Sequence, residues 1–437
     1  MADEWGKSRL GDLSEVITKG TTPTTLGYSF TDFGVNFVKS ESVTFDGWID
    51  PSKFAYIDTE THEALKRSQL KEGDILFSMA GVYIGKTAVV PSHMLPANTN
   101  QAVGIVRLDK RRAVPRFIDY HLRNPSYNRF LNNLVAQSAQ PNLNLTEIRN
   151  LPINLPPIPE QRAIAHILGT LDDKIELNRR MNATLEAMAR ALFQSWFVDF
   201  DPVRAKLDGR IPPGLDPATA ALFPAHFQDS PLRPIPQGWT VGKVSDIATL
   251  SRTALNPGDF PDETFDHFSL PAFDNGRRPK VEFGSAIMSN KLVVAPNSVL
   301  LSKLNPHIPR IWLPDLRDSH RSVCSTEFMI ACAKPGVYRE YLFSMFTSSE
   351  FASVYGTLVT GTTGSHQRIR PENVLEMKIV LPPFPLIKAF TNVVKPMFDR
   401  INRNTEQSQT LAALRDTLLP KLLSGEIGIG FSMKGLA

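Results

Sequence analysis

Short apolar runs, some continuous and some alternating with polar residues, recur along both halves of the chain between turns rich in glycine and proline. Runs of this length and β-branched content predict strands. They read GVNFVKS, GDILFSMA, KTAVV and QAVGIVRL in the first half, and KLVVA, SVLLS, TEFMIACA and MKIVLPP in the second. Tyrosine, phenylalanine and leucine at helical spacing over residues 115–134 and 337–358 predict a core-facing helix in each half. Both halves are therefore predicted to be mixed α/β domains.

Two longer stretches carry a heptad pattern, with apolar residues at alternating steps of four and three. The first seam runs through Ile164, Leu168, Leu171, Ile175, Asn178, Asn182, Leu185, Ala189, Leu192 and Trp196. The second runs through Phe390, Val394, Met397, Ile401, Asn404, Ser408, Leu411, Arg415, Leu418 and Leu422. Because buried asparagines fix register at a cost in stability, the polar residues in mid-seam favour two helices packed on each other as a coiled coil. The alternative is that each helix covers only its own domain.

The two halves also resemble each other in sequence. LPINLPPIP at residues 151–159 aligns with MKIVLPPFP at residues 377–385, and at the same offset DKIELN at 173–178 aligns with DRINRN at 399–404. Weaker matches upstream pair Trp5 with Trp239 and Leu134 with Leu358, at offsets that drift by a few positions, as loop insertions would produce. The pattern predicts a duplicated unit, consisting of a globular domain followed by a long helix.

Proline marks the boundaries of these parts. The chain has 34 prolines, and eight of them lie in residues 201–237, which lack a periodic apolar face and are predicted to form an extended, semi-rigid connector. The predicted division is a first domain at 1–155, a helix at 156–200, the connector at 201–237, a second domain at 238–380, and a second helix with a C-terminal tail at 381–437.

Composition narrows the class of protein. The 437 residues include 48 Lys or Arg and 44 Asp or Glu, a formal charge of only +4, so any nucleic-acid contact must use local patches or partner chains. Two cysteines exclude a disulfide scaffold and a four-cysteine zinc site. The polar N-terminus and the lack of a long apolar run predict no signal peptide and no membrane span. A reducing, cytoplasmic setting is expected.

Catalytic motifs are weak. Ala80-GVYI-Gly85-Lys86-Thr87 fits a loose P-loop pattern, but a P-loop must open a helix, and Ala-Val-Val-Pro predicts a strand here. Leu381-Pro-Pro-Phe384 lacks the polar first residue that an adenine methyltransferase loop needs, and the nine histidines show no metal-ligand spacing. Lys86 and Arg310 are therefore interpreted as basic residues on β-turns, and the chain is predicted to be non-catalytic by itself, with no metal.

Polar loops at corresponding places in the two halves remain, at residues 98–101 and 136–144 in the first and 324–327 and 360–368 in the second. Their amide, hydroxyl and basic groups are the types that read base edges and phosphates. The DNA-contact candidates are Lys86, Asn98, Asn100, Gln101, Gln137, Gln140, Asn142, Asn144, Lys303, Arg310, Ser325, Thr363, His366, Gln367 and Arg368. For any one residue, ordinary turn chemistry is the competing explanation.

A known family resembles this chain over nearly its whole length. Residues 155–206, beginning LPPIPEQRAIAHILGTLDDKIELN, resemble the central region of the DNA-specificity subunits of type I restriction–modification enzymes, as do LFPAHF at 222–227 and IPQGW at 235–239. SKLNP at 302–306 with STEF at 325–328 resembles one type of their target-recognition domain, and GDILFS at 73–78 followed by Gly81 and Gly85 resembles another.

The resemblance implies an α+β protein with two mixed α/β target-recognition domains in tandem. Each is followed by a long helix, and the helices pair as an antiparallel coiled coil with pseudo-two-fold symmetry. The implied partners are double-stranded DNA, on which each domain reads half of a bipartite asymmetric site, two modification (methyltransferase) subunits that dock on the helices, and translocating restriction subunits. It also implies that S-adenosylmethionine, ATP and Mg²⁺ belong to those partners, with no cofactor on this chain. The second repeat departs from the pattern, since Pro-Leu-Ile-Lys at 385–388 replaces Pro-Glu-Gln-Arg at 159–162.

Two other functions stay open from the residues alone. A coiled-coil scaffold could join protein partners without touching DNA, and an ATP-dependent enzyme could use Lys86. Specific DNA binding together with a modification subunit would separate DNA recognition from the scaffold. Loss of ATP binding on Lys86→Ala would be needed to support the enzyme.

Overall fold

The computed structural model describes residues 5–80, 84–125, 127, 129–131, 142–316, 319–360 and 367–428. The chain divides into two compact units. Unit 1 comprises Met1–Leu177 and Gln407–Ala437, and unit 2 comprises Asn178–Glu406. Within the described ranges, every helix is too short or too polar to cross a membrane.

Unit 1 contains the first set of strands and short helices. The strands are β1 (Gly6–Arg9), β2 (Ser14–Lys19), β3 (Val35–Val38), β4 (Ala55–Ile57), β5 (Ile75–Ser78), β6 (Thr87–Val89), β7 (Ala97–Thr99), β8 (Val103–Leu108) and β9 (Pro152–Leu155). The helices are α1 (Thr59–Ala64), α2 (Pro115–Arg123) and α3 (Leu145–Arg149).

These strands form a pair and two sheets. β1 pairs antiparallel with β9, a four-stranded sheet has the order β2-β8-β5-β6, and a three-stranded sheet has the order β4-β3-β7, in which β3 and β7 are parallel. The central strands β5 and β8 are almost entirely apolar and buried, as expected for strands covered on both faces. Their side chains pack against α2 and against the ends of two long helices.

The long helices are α4 (Ile158–Phe193), of 36 residues, and α12 (Phe384–Leu423), of 40 residues. Both begin at the end of the proline runs that the sequence pattern singled out, with the last proline of each run, Pro159 or Pro385, in the first turn, where the missing N–H costs nothing. Each helix contributes residues to both units. Ile164 and Leu168 of α4 and Leu422 of α12 lie in the unit 1 core.

The segment 201–237 is not the extended connector that its prolines predicted. It contains α5 (Asp201–Leu207), α6 (Pro217–Ala221) and a two-stranded hairpin of β10 (Phe227–Gln228) and β11 (Ile235–Pro236). Prolines occupy the first turns of α5 and α6, which helices tolerate. Val203, Phe223 and Ile235 are buried in the unit 2 core, so tertiary packing outweighs the low intrinsic propensity.

Unit 2 contains the second set of elements. Its strands are β12 (Thr240–Lys243), β13 (Ala248–Ser251), β14 (Ala254–Leu255), β15 (Thr264–Phe268), β16 (Lys280–Phe283), β17 (Lys291–Val293), β18 (Ser298–Ser302), β19 (Ile311–Trp312), β20 (Arg321–Cys324), β21 (Phe328–Ala333), β22 (Val359–Thr360), β23 (Arg368–Ile369) and β24 (Lys378–Leu381). Its shorter helices are α7 (Val244–Ile247), α8 (Leu270–Asp274), α9 (Arg339–Phe346), α10 (Ser349–Tyr355) and α11 (Pro371–Leu375).

The sheet topology of unit 2 repeats that of unit 1. β12 pairs with β24 as β1 does with β9, and the sheet β13-β21-β18-β19 has the order of β2-β8-β5-β6. In the second sheet, β15 is parallel to β20 as β3 is to β7, and it is antiparallel to β16 as β3 is to β4. This sheet has five strands in unit 2, in the order β14-β17-β20-β15-β16. The internal repeat predicted from weak sequence matches is confirmed at the level of strand order.

All eight predicted strands overlap observed ones, but the predicted second helix is interrupted. Residues 337–358 form two helices, α9 and α10, with a break at Thr347 and Ser348. The Ser348 hydroxyl oxygen accepts a hydrogen bond from the Phe351 N–H at 3.2 Å and so caps the start of α10. The two cysteines, Cys324 and Cys332, are free and lie on different strands.

The predicted seam residues face inward. Five of them are buried, namely Ile164, Leu168, Ile175, Asn178 and Asn404. Seven are partly buried, namely Leu171, Leu185, Leu192, Met397, Ile401, Leu411 and Leu418. In unit 2 the Asn178 side-chain N–H donates to the Asn404 carbonyl at 3.2 Å, and the Asn404 side-chain N–H donates to Asn182 Oδ1 at 2.8 Å. The mid-seam asparagines of the two helices therefore hydrogen-bond to each other within this unit.

The direction of the two helices in unit 2 follows from a second contact. The Phe193 and Phe390 rings lie 5.8 Å apart between centroids, whereas Asn178 contacts Asn404. Moving toward the C-terminus of α4 therefore means moving toward the N-terminus of α12, which is the order expected for antiparallel helices.

Unit 1 contains a cluster of charged and polar side chains, most of them buried, which we call the charged joint: Thr87, Asp119, Tyr120, Arg123, Asp172 and Arg415. Arg415 of α12 donates to Asp172 of α4 at 2.8 Å, and Tyr120 donates to the same carboxylate at 2.7 Å. Arg123 lies 2.9 Å from Asp119 and 3.3 Å from Asp172. Burial alone would lower the pKa of Arg415, but the charge of Asp172 and hydrogen bonds to Asp172 and Asp416 outweigh it and raise that pKa.

Arg415→Leu is expected to lower the free energy of unfolding by about 1–3 kcal/mol, since Asp172 loses a charge-assisted hydrogen bond but keeps Arg123 and Tyr120. The matched control is Arg111→Leu, because Arg111 is 88% exposed beside Asp109. Chemical denaturation of the two variants checks this. Equal midpoints would show that the charged joint contributes no net stability.

Candidate nucleic-acid interface

A tight hairpin carries Lys86 in unit 1. The Ser78 N–H donates to the Lys86 carbonyl at 2.8 Å and the Gly85 N–H to the Ser78 carbonyl at 2.9 Å, with Gly85 at a φ of +80° that favours glycine. Strand β6 follows directly at Thr87. The prediction that a strand rather than a P-loop helix follows Lys86 is confirmed, so no helix N-terminus is available to hold a phosphate here.

Three loops meet next to this hairpin. The Met79 N–H donates to the Ala102 carbonyl at 2.9 Å, and the Leu143 N–H donates to the Met79 carbonyl at 2.8 Å. Ala80 and Asn142 form an isolated β-bridge. We call residues 79–80, 84–86, 100–102 and 142–144 the first polar cluster.

Unit 2 has the same arrangement at the corresponding positions of the second repeat. The Lys303 N–H donates to the Glu327 carbonyl at 2.8 Å, the Ile369 N–H donates to the Lys303 carbonyl at 3.0 Å, and Leu304 bridges Arg368. The Ser302 N–H donates to the Arg310 carbonyl at 2.9 Å, as Ser78 does to Lys86. We call residues 303–310, 325–327 and 367–368 the second polar cluster.

The two clusters hold their basic hairpin residue differently. The Lys86 ammonium lies 4.1 Å from the centroid of the Phe45 ring, and burial, with Lys53 nearby, lowers the pKa of Lys86. Arg310 donates to the two carboxylate oxygens of Asp274 at 2.7 and 2.8 Å, and these hydrogen bonds raise its pKa. In each unit the cation is therefore held by the segment that follows one strand of the parallel pair. This strand is β3 for Lys86 and β15 for Arg310.

Several predicted contact residues have clear structural roles. Asn98 is fully buried, donates to the Leu65 carbonyl at 3.2 Å and hydrogen-bonds His62. Asn144 and Glu147 form a capping box on α3. Asn100 accepts from the Ala102 N–H at 3.2 Å, and Ser325 accepts from the Glu327 N–H at 3.2 Å. For Asn100, Asn144 and Ser325, local turn and capping chemistry accounts for the residue type, whereas Asn98 is held by long-range tertiary hydrogen bonds.

The other candidates reach the surface. Gln101, Asn142 and Arg368 are exposed, while Lys303 and Gln367 are partly exposed. Gln101 accepts a hydrogen bond from the Thr22 hydroxyl, and Arg368 lies 2.7 Å from Glu327. Gln137, Gln140, Thr363 and His366 lie outside the described residues.

The sequence reasoning missed the neighbours of these residues. Phe45 is 71% exposed within a tight turn that Thr44 and Trp48 close, and Arg67 donates to Thr21 at 3.0 Å beside the loop that contacts Gln101. A Cβ on Gly20 would lie 2.1 Å from the Thr99 carbonyl oxygen, so this loop packs directly on β7. A Gly-Thr-Thr-Pro turn was visible in sequence, but nothing local shows that it lies beside residues 99–101.

No metal centre is found among the residues that the structure describes, since no three His, Cys, Asp or Glu side chains there are grouped to hold an ion. The chemistry that the two clusters offer is hydrogen bonding by amides and hydroxyls, and charge–charge contact by lysine and arginine. Such groups suit base edges and phosphates.

Comparisons with known proteins point in one direction. A family model described as the type I restriction modification DNA specificity domain matches residues 2–187. The MjaIX specificity subunit of Methanocaldococcus jannaschii, from a type I restriction enzyme, is 24% identical, with 98% of this chain and 94% of that protein covered. The HindI specificity subunit of Haemophilus influenzae is 23% identical, with 97% and 100% covered.

A solved structure shares the fold. The S subunit of a type I restriction–modification system from M. genitalium superposes with a TM-score of 0.56 at 13% identity, and 96% of each chain is covered.

Asn144→Ala should lower the free energy of unfolding by about 1 kcal/mol through loss of the α3 cap. Asn142→Ala, two residues earlier on the exposed surface, should leave it unchanged. Thermal denaturation of both variants checks this. If Asn142→Ala is the more damaging change, the division between structural and surface residues in this loop is wrong.

Proposed function

We propose that this chain is a type I restriction–modification DNA-specificity subunit and that it reads a bipartite, asymmetric site on double-stranded DNA. One half-site contacts the first polar cluster and the other contacts the second. The observation that carries this proposal is the repetition of the same three-loop cluster, with the same backbone hydrogen bonds, in both units. The proposed readers are residues 1–155 and 238–380.

Within each cluster, the exposed side chains are assigned the sequence-reading role. Gln101 and Asn142 carry amides that can hydrogen-bond base edges, whereas Lys303 and Arg368 suit phosphates or guanine. Lys86 and Arg310 lie at the same position of the two hairpins and are assigned to phosphate positioning. Arg310 would have to exchange Asp274 for a phosphate to do so.

The long helices are proposed to act as a spacer. An antiparallel coiled coil of α4 and α12, of roughly 54 and 60 Å by length, can hold two readers about one DNA turn apart, ~34–36 Å. The asparagine hydrogen bonds, the buried seam and the reversed order of contacts in unit 2 support antiparallel pairing. A duplicated unit on such a pair has a pseudo-two-fold axis, as duplex DNA does.

Catalysis is assigned to partner chains. Two methyltransferase subunits are proposed to dock on the helices and modify adenine, and restriction subunits join them, with S-adenosylmethionine, ATP and Mg²⁺ bound by these partners. The formal charge of +4 supports this division, because a chain that enclosed DNA alone would need more positive surface.

The departure at the start of the second helix has a structural explanation. Gln161 is 1% exposed, accepts from the Val114 N–H at 2.9 Å and donates to the Pro156 carbonyl at 2.9 Å. Ile387, at the corresponding position of the second repeat, is also 1% exposed and lies in the unit 2 core. Each of these buried residues stabilises the unit in which it lies. The sequence difference at this position therefore does not by itself alter a docking surface.

The double variants Gln101→Ala/Asn142→Ala and Lys303→Ala/Arg368→Ala should each relax recognition of a different half-site. A lost base contact costs about 1–3 kcal/mol of discrimination, or roughly 5- to 150-fold. Binding of the chain with its modification subunit is measured on duplexes mutated in one half-site at a time.

Lys110→Ala, an exposed change outside both clusters, is the control and should leave both half-sites unchanged. If specific and random duplexes bind equally in the unaltered complex, the scaffold function replaces DNA recognition. If both double variants affect the same half-site, the assignment of one unit to each half-site is wrong.

Deletion of one facing heptad from each helix, residues 178–184 and 400–406, which removes all three mid-seam asparagines together, should shorten the preferred spacer by about three base pairs, since seven residues span ~10 Å. Both half-site sequences should stay unchanged. Mapping of methylated adenines in cells that carry the variant measures both properties. An unchanged spacer with altered half-sites would contradict the spacer role.

A further inference from the structure

Unit 2 contains a cavity of about 210 Å³ at the place where its long helices meet the rest of the unit. Four aromatic rings contribute to its walls, from Phe273, Phe343, Phe346 and Phe398. Ala189 of α4 and Ile311 of β19 add further apolar side chains to the lining, as do Pro309 and Ala352.

The equivalent place in unit 1 is occupied by the charged joint. In the alignment of the repeats that pairs β5 with β18, Thr87, Asp119, Tyr120 and Arg123 correspond to Ile311, Phe343, Ser344 and Thr347. In the alignment that pairs the starts of the long helices, Asp172 corresponds to Phe398 and Arg415 to Ala189. Three large polar side chains, Tyr120, Arg123 and Arg415, are thus replaced by serine, threonine and alanine, which accounts for the open space in unit 2.

The two hydroxyl groups in the cavity wall already donate to backbone carbonyls. The Ser344 hydroxyl donates to the Glu340 carbonyl at 2.8 Å, and the Thr347 hydroxyl donates to the Phe343 carbonyl at 2.8 Å. Apolar cavities of about 150 Å³ stay dry and accept benzene, whereas drug-sized ligands need about 300 Å³ or more. The volume therefore suits one or two fused aromatic rings.

The rim is charged. The Arg277 guanidinium lies 5.2 Å from the Phe273 ring centroid and 3.5 Å from Glu186, while Arg190 of the same rim is exposed. Two guanidinium groups face one carboxylate, so the rim favours a negative group on the part of a ligand that leaves the cavity.

We propose that this cavity is a binding site for a small aromatic carboxylate, and that its occupation changes how the second polar cluster contacts DNA. Phe273 in the wall precedes Asp274, which holds Arg310 by two hydrogen bonds, and the wall residues Pro309 and Ile311 flank Arg310. The second part of the proposal rests on the proposed function. Since the charged joint fills the equivalent place in unit 1, the effect is confined to the half-site read by unit 2.

The binding part is tested on the full chain by calorimetric titration with indole-3-carboxylate and with uncharged indole. We expect saturable binding of both, with the carboxylate bound about 5- to 20-fold more tightly. Ala189→Leu fills the cavity and should weaken both ligands at least tenfold, whereas Ala191→Leu, an exposed change on the same helix, should leave them unchanged. Arg277→Gln should remove the preference for the carboxylate while indole still binds.

Circular dichroism and the thermal midpoint establish that each variant is folded. Absence of saturable binding at millimolar ligand, or equal binding by Ala189→Leu, would overturn the site. If indole binds as well as the carboxylate in the unaltered chain, the assignment of an anionic ligand is wrong.

The regulatory part is tested with the modification complex on duplexes mutated in one half-site. Saturating indole-3-carboxylate should change discrimination about threefold or more at the half-site affected by Lys303→Ala/Arg368→Ala, and not at the other half-site. Ala189→Leu should abolish that change. An equal effect at both half-sites, or none despite measured binding, overturns the coupling. Failure of DNA recognition itself leaves the titration result intact, so the two proposals fail separately.

Discussion

Buried amide groups need hydrogen-bond partners, and in unit 2 this requirement determines how the two long helices meet. The Asn178 amide donates to the Asn404 backbone carbonyl and the Asn404 amide donates to Asn182 Oδ1, with Asn178 and Asn404 almost fully buried. A shift by one heptad would place an asparagine against leucine or methionine and leave its amide unpaired, at a cost of about 1–3 kcal/mol for each group. Packing of the aromatic core around Phe193 and Phe390 then follows from this register.

The two units share the order of strands in their sheets, but they differ at the place where each unit packs against the long helices. Strand order, parallel pairs and the three-loop clusters recur, and the register within each sheet is tightly constrained because a shift of one residue would turn every buried side chain of a strand to the wrong face. The place where each unit packs against its helices is under weaker constraint. Different side chains can occupy this space, provided that buried polar groups there have hydrogen-bond partners. Unit 1 uses a network of ion pairs there, and unit 2 uses phenylalanine and alanine around a cavity.

The sequence could predict which loops form the candidate interface, but not which side chains in those loops are exposed. The sequence placed Lys86, Gln101, Asn142, Lys303 and Arg368 in polar turns, and they lie in the two clusters. Asn98 belongs to the same residue class and the same stretch, but it lies on β7 with its side chain buried against the C-terminal end of α1, which is more than thirty residues away in sequence. Composition and residue spacing do not show that α1 packs over Asn98, because the two segments are far apart in sequence.

Local periodicity and repetition determined the strands, the two long helices, their inward faces and the duplication, because these depend on spacing along the chain. Only the tertiary structure decided the rest. It showed that the proline-rich segment is folded onto unit 2, that Ser348 divides a predicted helix, and that four segments distant in sequence meet in one charged joint. The physical reason is that burial and hydrogen-bond satisfaction act between residues brought together by folding, and proline or serine propensity is too weak to oppose them.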